Sequence, residues 1–292
     1  MRASFELPLG VRVGHWTDTK GKTGCTVVLT ADGAVGGVDV RGAAPATLGS
    51  DALHPGMLIR QVHGTLLTGG SAFGRAAADG VMRYLEKNGI GFALGPVRVP
   101  IVVGAVVFDL MSGDARARPD AAAGYAACEA ATSEPQIGAV GAGTGATVAK
   151  GGSMTEIRPG GVGIASAHAD RAIVAAIVVA NSVGGIWDDD AHAWVAPLTR
   201  YDRASNLLPG GNTTIGAVVT DATLTKEQAN RVASVAHDGI ARAVRPAHTM
   251  YDGDTIFCLA TGTVSAPYDA VEVVAADVVA RAIVVGVRAA QS

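Results

Sequence analysis

The chain has 292 residues, 49% hydrophobic and only 17% charged, enough apolar material for a large core. Its formal charge is −3, with 23 basic against 26 acidic residues and no basic stripe, which argues against a nucleic-acid surface. Cys25, Cys128 and Cys258 lie far apart without metal-ligand or redox spacing, so they read as small buried residues of a reducing compartment. The 39 glycines with 4% aromatics favour close backbone packing, with helices lying tightly on sheets.

In chain order, Val11 to Val13 and Cys25 to Leu29 are predicted strands joined by a turn at Asp18-Thr19-Lys20-Gly21. Ala34 to Val40 follows as another strand after the Asp32-Gly33 turn, and Arg41 to Pro45 is a small loop whose arginine could line a site but reads more readily as solvated or ion-paired. Gly64 to Thr68 is a strand ending in Gly69-Gly70-Ser71, with Ser71 capping a helix to about Lys87. A nucleophile elbow would need glycine at position 73, where Phe73 stands, so the pattern fails. Val99 to Val107 is an apolar run typical of a strand buried on both faces, and Pro119 to Thr132 is an alanine-rich helix.

Gly141 to Gly152 is glycine-rich and ends around Lys150. Ala149 rather than glycine stands directly before Lys150, and Gly151 stands where a phosphate loop needs a hydroxyl residue; no helix follows as a dinucleotide site needs. Lys150 among small residues is instead a lysine that can reach into a pocket. Arg171 to Ala180 is a strand delivering Asn181 to its end, where the amide can satisfy loop groups or donate to a developing oxyanion. Ile186 to Gly211 reads as an exposed, mobile linker of about 25 residues.

The next stretch, Gly210 to Asp221, runs from glycines through Asn212-Thr213 into an apolar strand. A threonine there, freed by a cut before it, would own both a hydroxyl and an α-amine. An N-terminal amine titrates at about 7.7–8, so it can take the proton of its own hydroxyl during attack. Thr225 to Gln228 is a capping box, followed by apolar positions 229, 232, 233, 236, 240 and 243 at helical spacing. Asp252 and Asp254 are two apart and would face the same way in extended chain. Asp269 to about Val287 is a closing helix.

Together these blocks resemble the DmpA-type peptidases, a family of L-aminopeptidase/D-esterases, β-peptidyl aminopeptidases and 6-aminohexanoate-oligomer (nylon oligomer) hydrolases. The blocks include GVRVGHWTD, LLTGGSAFG, GAGTGATVAK, NTTIGAVVTDA and RPAHTMYDGDTIFCLATG, in order along nearly the whole chain. The resemblance implies an α/β chain folded as an αββα sandwich of the N-terminal-nucleophile type. It implies self-cleavage between Asn212 and Thr213 into residues 1–212 and 213–292, with Thr213 then attacking amide or ester substrates. Asn181 matches the oxyanion-stabilising asparagine, and Lys150, Asp252 and Asp254 match the polar residues around the threonine. The aspartates would orient the α-amine and neighbouring donors, and Lys150 would hydrogen-bond near the nucleophile and balance charge. Val106 and Phe108 stand where the aminopeptidase branch carries an acid and a tyrosine, which tilts the likeness towards the nylon-oligomer branch and leaves Phe108 as a candidate substrate contact.

The expected partner is a small peptide or amide, in a cytoplasmic homo-oligomer of processed heterodimers. No cofactor, metal, nucleic acid or membrane is expected. Acyl transfer to an amine through the same nucleophile, and a non-catalytic oligomeric binding protein of this fold, are the alternative readings.

Overall fold

The computed structural model describes residues 5–201 and 211–292. Ten strands and four helices carry its architecture. The first half contains β1 (Val11–Asp18), β2 (Thr23–Val40), β3 (Gln61–Thr68), α1 (Ala77–Lys87), β4 (Val102–Val106) and α2 (Ala121–Glu129). The second contains β5 (Gly161–Ala169), β6 (Ala172–Asn181), β7 (Gly185–Asp188), β8 (Ala193–Ala196), β9 (Thr213–Ala222), α3 (Lys226–Ala243), β10 (Thr255–Val264) and α4 (Tyr268–Gln291).

One sheet runs in the order β5-β6-β9-β10-β2-β3-β4, extended at its edge by Thr47–Leu48, with β1 pairing to β2. Two parallel pairs lie within it, β9 with β10 and β3 with β4, each joined through a helix as parallel strands require. The fold follows from the alternation of side chains along each strand. On β6, Val174, Ala176, Val178 and Ala180 face α3 and α4, while Ala175, Ile177 and Val179 face the other way. On β2, Cys25 and Val27 pack under α1 and α2, while Val28 and Val38 join the layer shared with β6, β9 and β10. The sheet therefore folds over along β2 and closes on itself, giving four layers: α1/α2, half-sheet, half-sheet, α3/α4. This is the αββα sandwich expected.

Glycine permits the tight stacking. A Cβ at Gly163 of β5 would come within 1.8 Å of the Ala282 carbonyl oxygen of α4, and one at Gly286 within 2.5 Å of the Gly163 nitrogen. On α3 the Thr225–Gln228 capping box is formed, and Ala229, Val232, Ala233, Ala236, Ile240 and Ala243 are all buried.

Several expectations need correction. Asp32-Gly33 does not end a strand: β2 runs straight through, with an irregularity of register between Leu29 and Ala34 where its partner shifts along β3. Ser71 makes no side-chain cap; it sits at φ 53° and opens a short 3-10 turn before α1. The apolar run from Val99 is divided at Pro100, so that Val97–Val99 pairs with Phe92–Leu94 in an exposed hairpin and only Val102–Val106 enters the sheet. The expected exposed linker is largely structured. Ile186 is fully buried, β7 pairs with β8, and β7 also pairs with Val244–Arg245 just after α3. The part of that linker at 202–210 lies outside the described residues.

Candidate active site

The register of two central strands builds the site. Asn181, last residue of β6, pairs directly across from Thr213, first residue of β9. Both lie in the odd-numbered series that faces the layer between the half-sheets, so their side chains leave the sheet on one side at one end of that layer. The ends of β3 and β4 supply the opposite wall. There Asp109 is buried, accepting from Thr23 Oγ1 at 2.7 Å and the Gly70 amide at 2.7 Å.

Thr213 is buried, and its hydroxyl donates to the carbonyl oxygen of Asn212, the peptide group immediately before it. That same oxygen accepts the Gly253 amide at 3.0 Å. Gly253 is held there because Asn212 pairs as a parallel bridge with Asp252, and the Arg41–Ala44 connection donates its amides to the Asp252 and Asp254 carbonyls. A Cβ at residue 253 would sit 2.6 Å from the Ala44 oxygen and 3.0 Å from Thr213 Oγ1, so no larger residue fits. Arg41 itself is ion-paired with Asp39 and Asp238, as the sequence suggested.

Lys150 closes the other side. Its Nζ donates to Asn181 O at 2.9 Å, Asn181 Oδ1 at 3.0 Å and Gly211 O at 3.0 Å. Part of its stem reaches solvent, but the ammonium end is enclosed. Burial pulls its pKa down to about 7, against the opposing charges of Asp252 and Asp109. Asn181 uses both lone pairs of Oδ1, which also accepts the Thr147 amide at 3.0 Å, while Nδ2 donates one hydrogen to the Phe108 carbonyl at 3.2 Å. Phe108 thus touches Asn181 through its backbone, while its side chain is half-buried.

The two aspartates flank Gly253 and are both buried, but hold different donors. Asp252 accepts from Thr249 Oγ1 at 2.6 Å, the Thr249 amide at 2.9 Å and the Val183 amide at 3.4 Å. Burial, then the neighbouring Asp254 charge, push its carboxyl above the ordinary range. Asp254 accepts the Thr214 amide at 2.6 Å on one oxygen and His248 on the other. Burial also pushes Asp109 up, with Thr23, Gly70 and Lys150 opposing.

The structure therefore brings together Thr213, Asn212, Asn181, Lys150, Asp252 and Asp254. Asp109, Gly253 and His248 were not picked out from the sequence. Asp109 directly follows the apolar run of β4 and Gly253 lies between the aspartates, which were the available signals; His248 offered none. Among the described residues no group of three or more His, Cys, Asp or Glu side chains is gathered as a metal cage would need. A separate cavity of about 670 Å³ lies between α3, α4 and β7, lined by Trp187, Asp189, Arg242, Asp277, Arg281 and Arg288. Its arginines are already paired with aspartates, Arg288 with Asp188 at 2.6 Å and Arg242 with Asp277 at 2.5 Å among them.

Chemically, the site sets a hydroxyl against the carbonyl of its own preceding peptide, with an N–H on the carbonyl oxygen and a titratable amine and carboxylates nearby. The comparisons with known proteins agree with a bond-cleaving enzyme. Residues 9–292 match Peptidase family S58. An uncharacterized aminopeptidase of Mycobacterium leprae is 42% identical, over 97% of this chain and 89% of its own. A 6-aminohexanoate-oligomer endohydrolase of a Kocuria species is 33% identical over 90% of this chain and 76% of its own. Among solved structures, a Burkholderia β-aminopeptidase superposes with a TM-score of 0.73 at 25% identity, covering 98% of this chain and 87% of that one. The L-aminopeptidase D-Ala-esterase/amidase of Ochrobactrum anthropi, described as a variant of the Ntn hydrolase fold, has a TM-score of 0.73 at 21% identity, covering 94% and 83%. That likeness concerns the fold, and the four-layer sandwich described above is its counterpart here. With the family match spanning all but the first eight residues, the chain belongs to Peptidase family S58 and is a hydrolase.

Proposed function

We propose that this hydrolase is a self-processing N-terminal-threonine amidohydrolase acting on small peptides or amino-acid oligomers. The carrying observation is the Thr213 hydroxyl lying on the Asn212 carbonyl while Gly253 donates to the same oxygen. In maturation the Thr213 oxygen attacks the Asn212 carbonyl carbon, and the Gly253 amide stabilises the developing oxyanion. The C–N bond breaks, the nitrogen takes a proton, and an ester joins Asn212 to Thr213. Water hydrolyses that ester, leaving residues 1–212 with a carboxylate and 213–292 with a free threonine.

The freed α-amine then serves as the base for the same hydroxyl, and an acyl-threonine forms and hydrolyses on each substrate. Lys150 and the Asp252/Asp254 pair hold Asn181 and the loop groups around the nucleophile in register. Amide substrates are supported by the relatives' names, aminopeptidase and 6-aminohexanoate-oligomer endohydrolase. The reading includes a cytoplasmic enzyme assembled from several processed copies; the exposed apolar hairpin Phe92–Leu94/Val97–Val99 offers surface for assembly.

Intact mass beside denaturing electrophoresis, on wild type and Thr213→Ala, tests the reading. Two fragments, the smaller beginning at Thr213, with Thr213→Ala remaining whole, are expected. A wild-type chain that stays whole after long incubation overturns the mechanism.

A further inference from the structure

His248 is the one basic side chain among the described residues that lies within 4.0 Å of the Asp254 carboxylate. Its Nδ1 is 2.8 Å from Asp254 Oδ2, and its backbone amide donates to the same oxygen at 3.1 Å. Facing a carboxylate, Nδ1 is the protonated nitrogen. The other oxygen of Asp254 takes the Thr214 amide at 2.6 Å, one peptide unit beyond the nucleophile. Asp254 thus spans two pieces of chain, and His248 holds the far end.

The ring is deeply placed. It packs edge-on to His237 of α3, with centroids 5.0 Å apart. His237 is fully buried, its Nε2 on the Asp39 carbonyl at 3.0 Å and its Nδ1 without a hydrogen bond. His248 Nε2 is also buried without a hydrogen bond, although the nearby His237 carbonyl works to raise the ring's pKa.

We propose that His248 is a positioning residue of the Thr213 site, donating to Asp254 so that this carboxylate stays fixed on the Thr214 amide. The proposal rests on the reading of Thr213 as nucleophile. A carboxylate that lost its partner would swing away, and the Thr213–Thr214 peptide would lose its anchor. Misplacement of a nucleophile by about 1 Å can cost on the order of 10²-fold in rate.

The charged and titratable groups facing His248 are Asp254 from its own loop, His237 from α3 and Arg41 just after β2, while Asp39 faces His237. Burial works to lower its pKa and Arg41 opposes its charge, but the hydrogen bond and charge of Asp254 outweigh them, so the net shift is upward. The cationic form therefore persists to a higher pH than in a free histidine, and deprotonation removes the charge that supports Asp254.

The test is the self-cleavage rate of the full chain, refolded by dilution into buffers from about pH 5.5 to about 9, across the histidine range. Wild type, His248→Ala, His248→Asn and Thr213→Ala are followed by intact mass. Asparagine keeps an N–H where Nδ1 stands and tolerates the φ of 55° at this position, but cannot titrate. The expected result is a wild-type rate that falls as pH rises through two ionisations, those of His248 and Lys150, and a His248→Asn rate that is slower than wild type at low pH, as with a neutral imidazole, and falls through the Lys150 ionisation alone. His248→Ala is expected to be at least about tenfold slower throughout. Should His248→Ala fail to refold, the His248→Asn profile decides. A His248→Asn profile as steep and as fast as wild type, or a His248→Ala profile like wild type, overturns the proposal while Thr213 dependence stands. Cleavage of Thr213→Ala, or an uncut wild type, instead overturns the nucleophile reading and this proposal with it.

Discussion

At the scale of single residues, the site depends on how few atoms surround the Asn212 carbonyl. Gly253 gives it an N–H while leaving room for the Thr213 hydroxyl. Gly253→Ala places a methyl against the Ala44 oxygen and pushes the donor away. Loss of one such donor is worth about 10²–10³-fold, so self-cleavage of Gly253→Ala is expected to slow by at least about 10²-fold, measured as fragment appearance over time. Lys150 gives a pH-dependent prediction. Its three oxygen acceptors call for the three hydrogens of an ammonium, and its pKa lies near 7. Maturation is therefore expected to slow as pH rises through about 7, and Lys150→Met to be slow with only the His248 step left; a Lys150→Met profile as steep as wild type would refute the assignment. Thr213 and Asn181 stood out at the start and the end of apolar strands, Lys150 as a lysine in a glycine-rich stretch, and the two aspartates as a pair two apart. Asp109 and His248 were not, because their meaning comes from pairing with residues far along the chain: Asp109 with Thr23 and Gly70, His248 with a carboxylate presented by the opposite end of its own turn.

At the scale of elements, α3 is held by local and tertiary forces that can be separated. Its capping box satisfies two backbone N–H groups, so Thr225→Ala is expected to cost about 1 kcal/mol in a denaturant melt. Ile240→Ala empties a fully buried position on the same helix and is expected to cost about 2–5 kcal/mol. Helices of this kind were legible because box and spacing are written within one stretch. The β7–β8 hairpin was not. With three aspartates in a row and Pro197 just beyond it, its sequence reads as a loop, and what orders it is distant: pairing with Val244–Arg245 and ion pairs from Asp188, Asp189 and Asp190 to Arg288, Arg242, Arg245 and Arg281. Arg245 also stacks over Trp187 with its guanidinium 4.7 Å from the ring centre. Likewise β2 reads as two strands at a turn signal, yet pairing with β10 on one stretch and β3 on the other keeps it continuous.

At the scale of the whole molecule, buried histidines set the response to acid. Burial lowers the pKa of His15 to about 4 and holds that of His237 below its usual value. In the unfolded chain both take a proton near pH 6.5, while in the native state they stay neutral. For these two groups the unfolded state thus binds more protons as pH falls from about 6.5 towards 4, which lowers stability by up to about 1.4 kcal/mol per pH unit for each such histidine, opposed by the raised carboxyls of Asp109 and Asp252, which take protons more readily in the native state. His248, raised by Asp254, acts in the opposite sense: its contribution is complete below the ordinary histidine value and fades as pH rises through the folded one. Denaturation midpoints of Thr213→Ala, which is expected to remain one chain, measured between about pH 4 and about 8 check the net slope. The strand order carries a last consequence. β9 and β10 lie inside the sheet, bounded by β6 on one side and β2 on the other, so the piece from Thr213 onward is clasped between strands of the piece before it. A molecule nicked at that point would hold together without any covalent link, yet once melted its reassembly would require two partners to meet. Folding would change from first order to second order at the instant of maturation, so the cut is compatible with efficient assembly when it follows folding, and the refolding yield of the nicked form should rise with protein concentration where that of the uncut form does not.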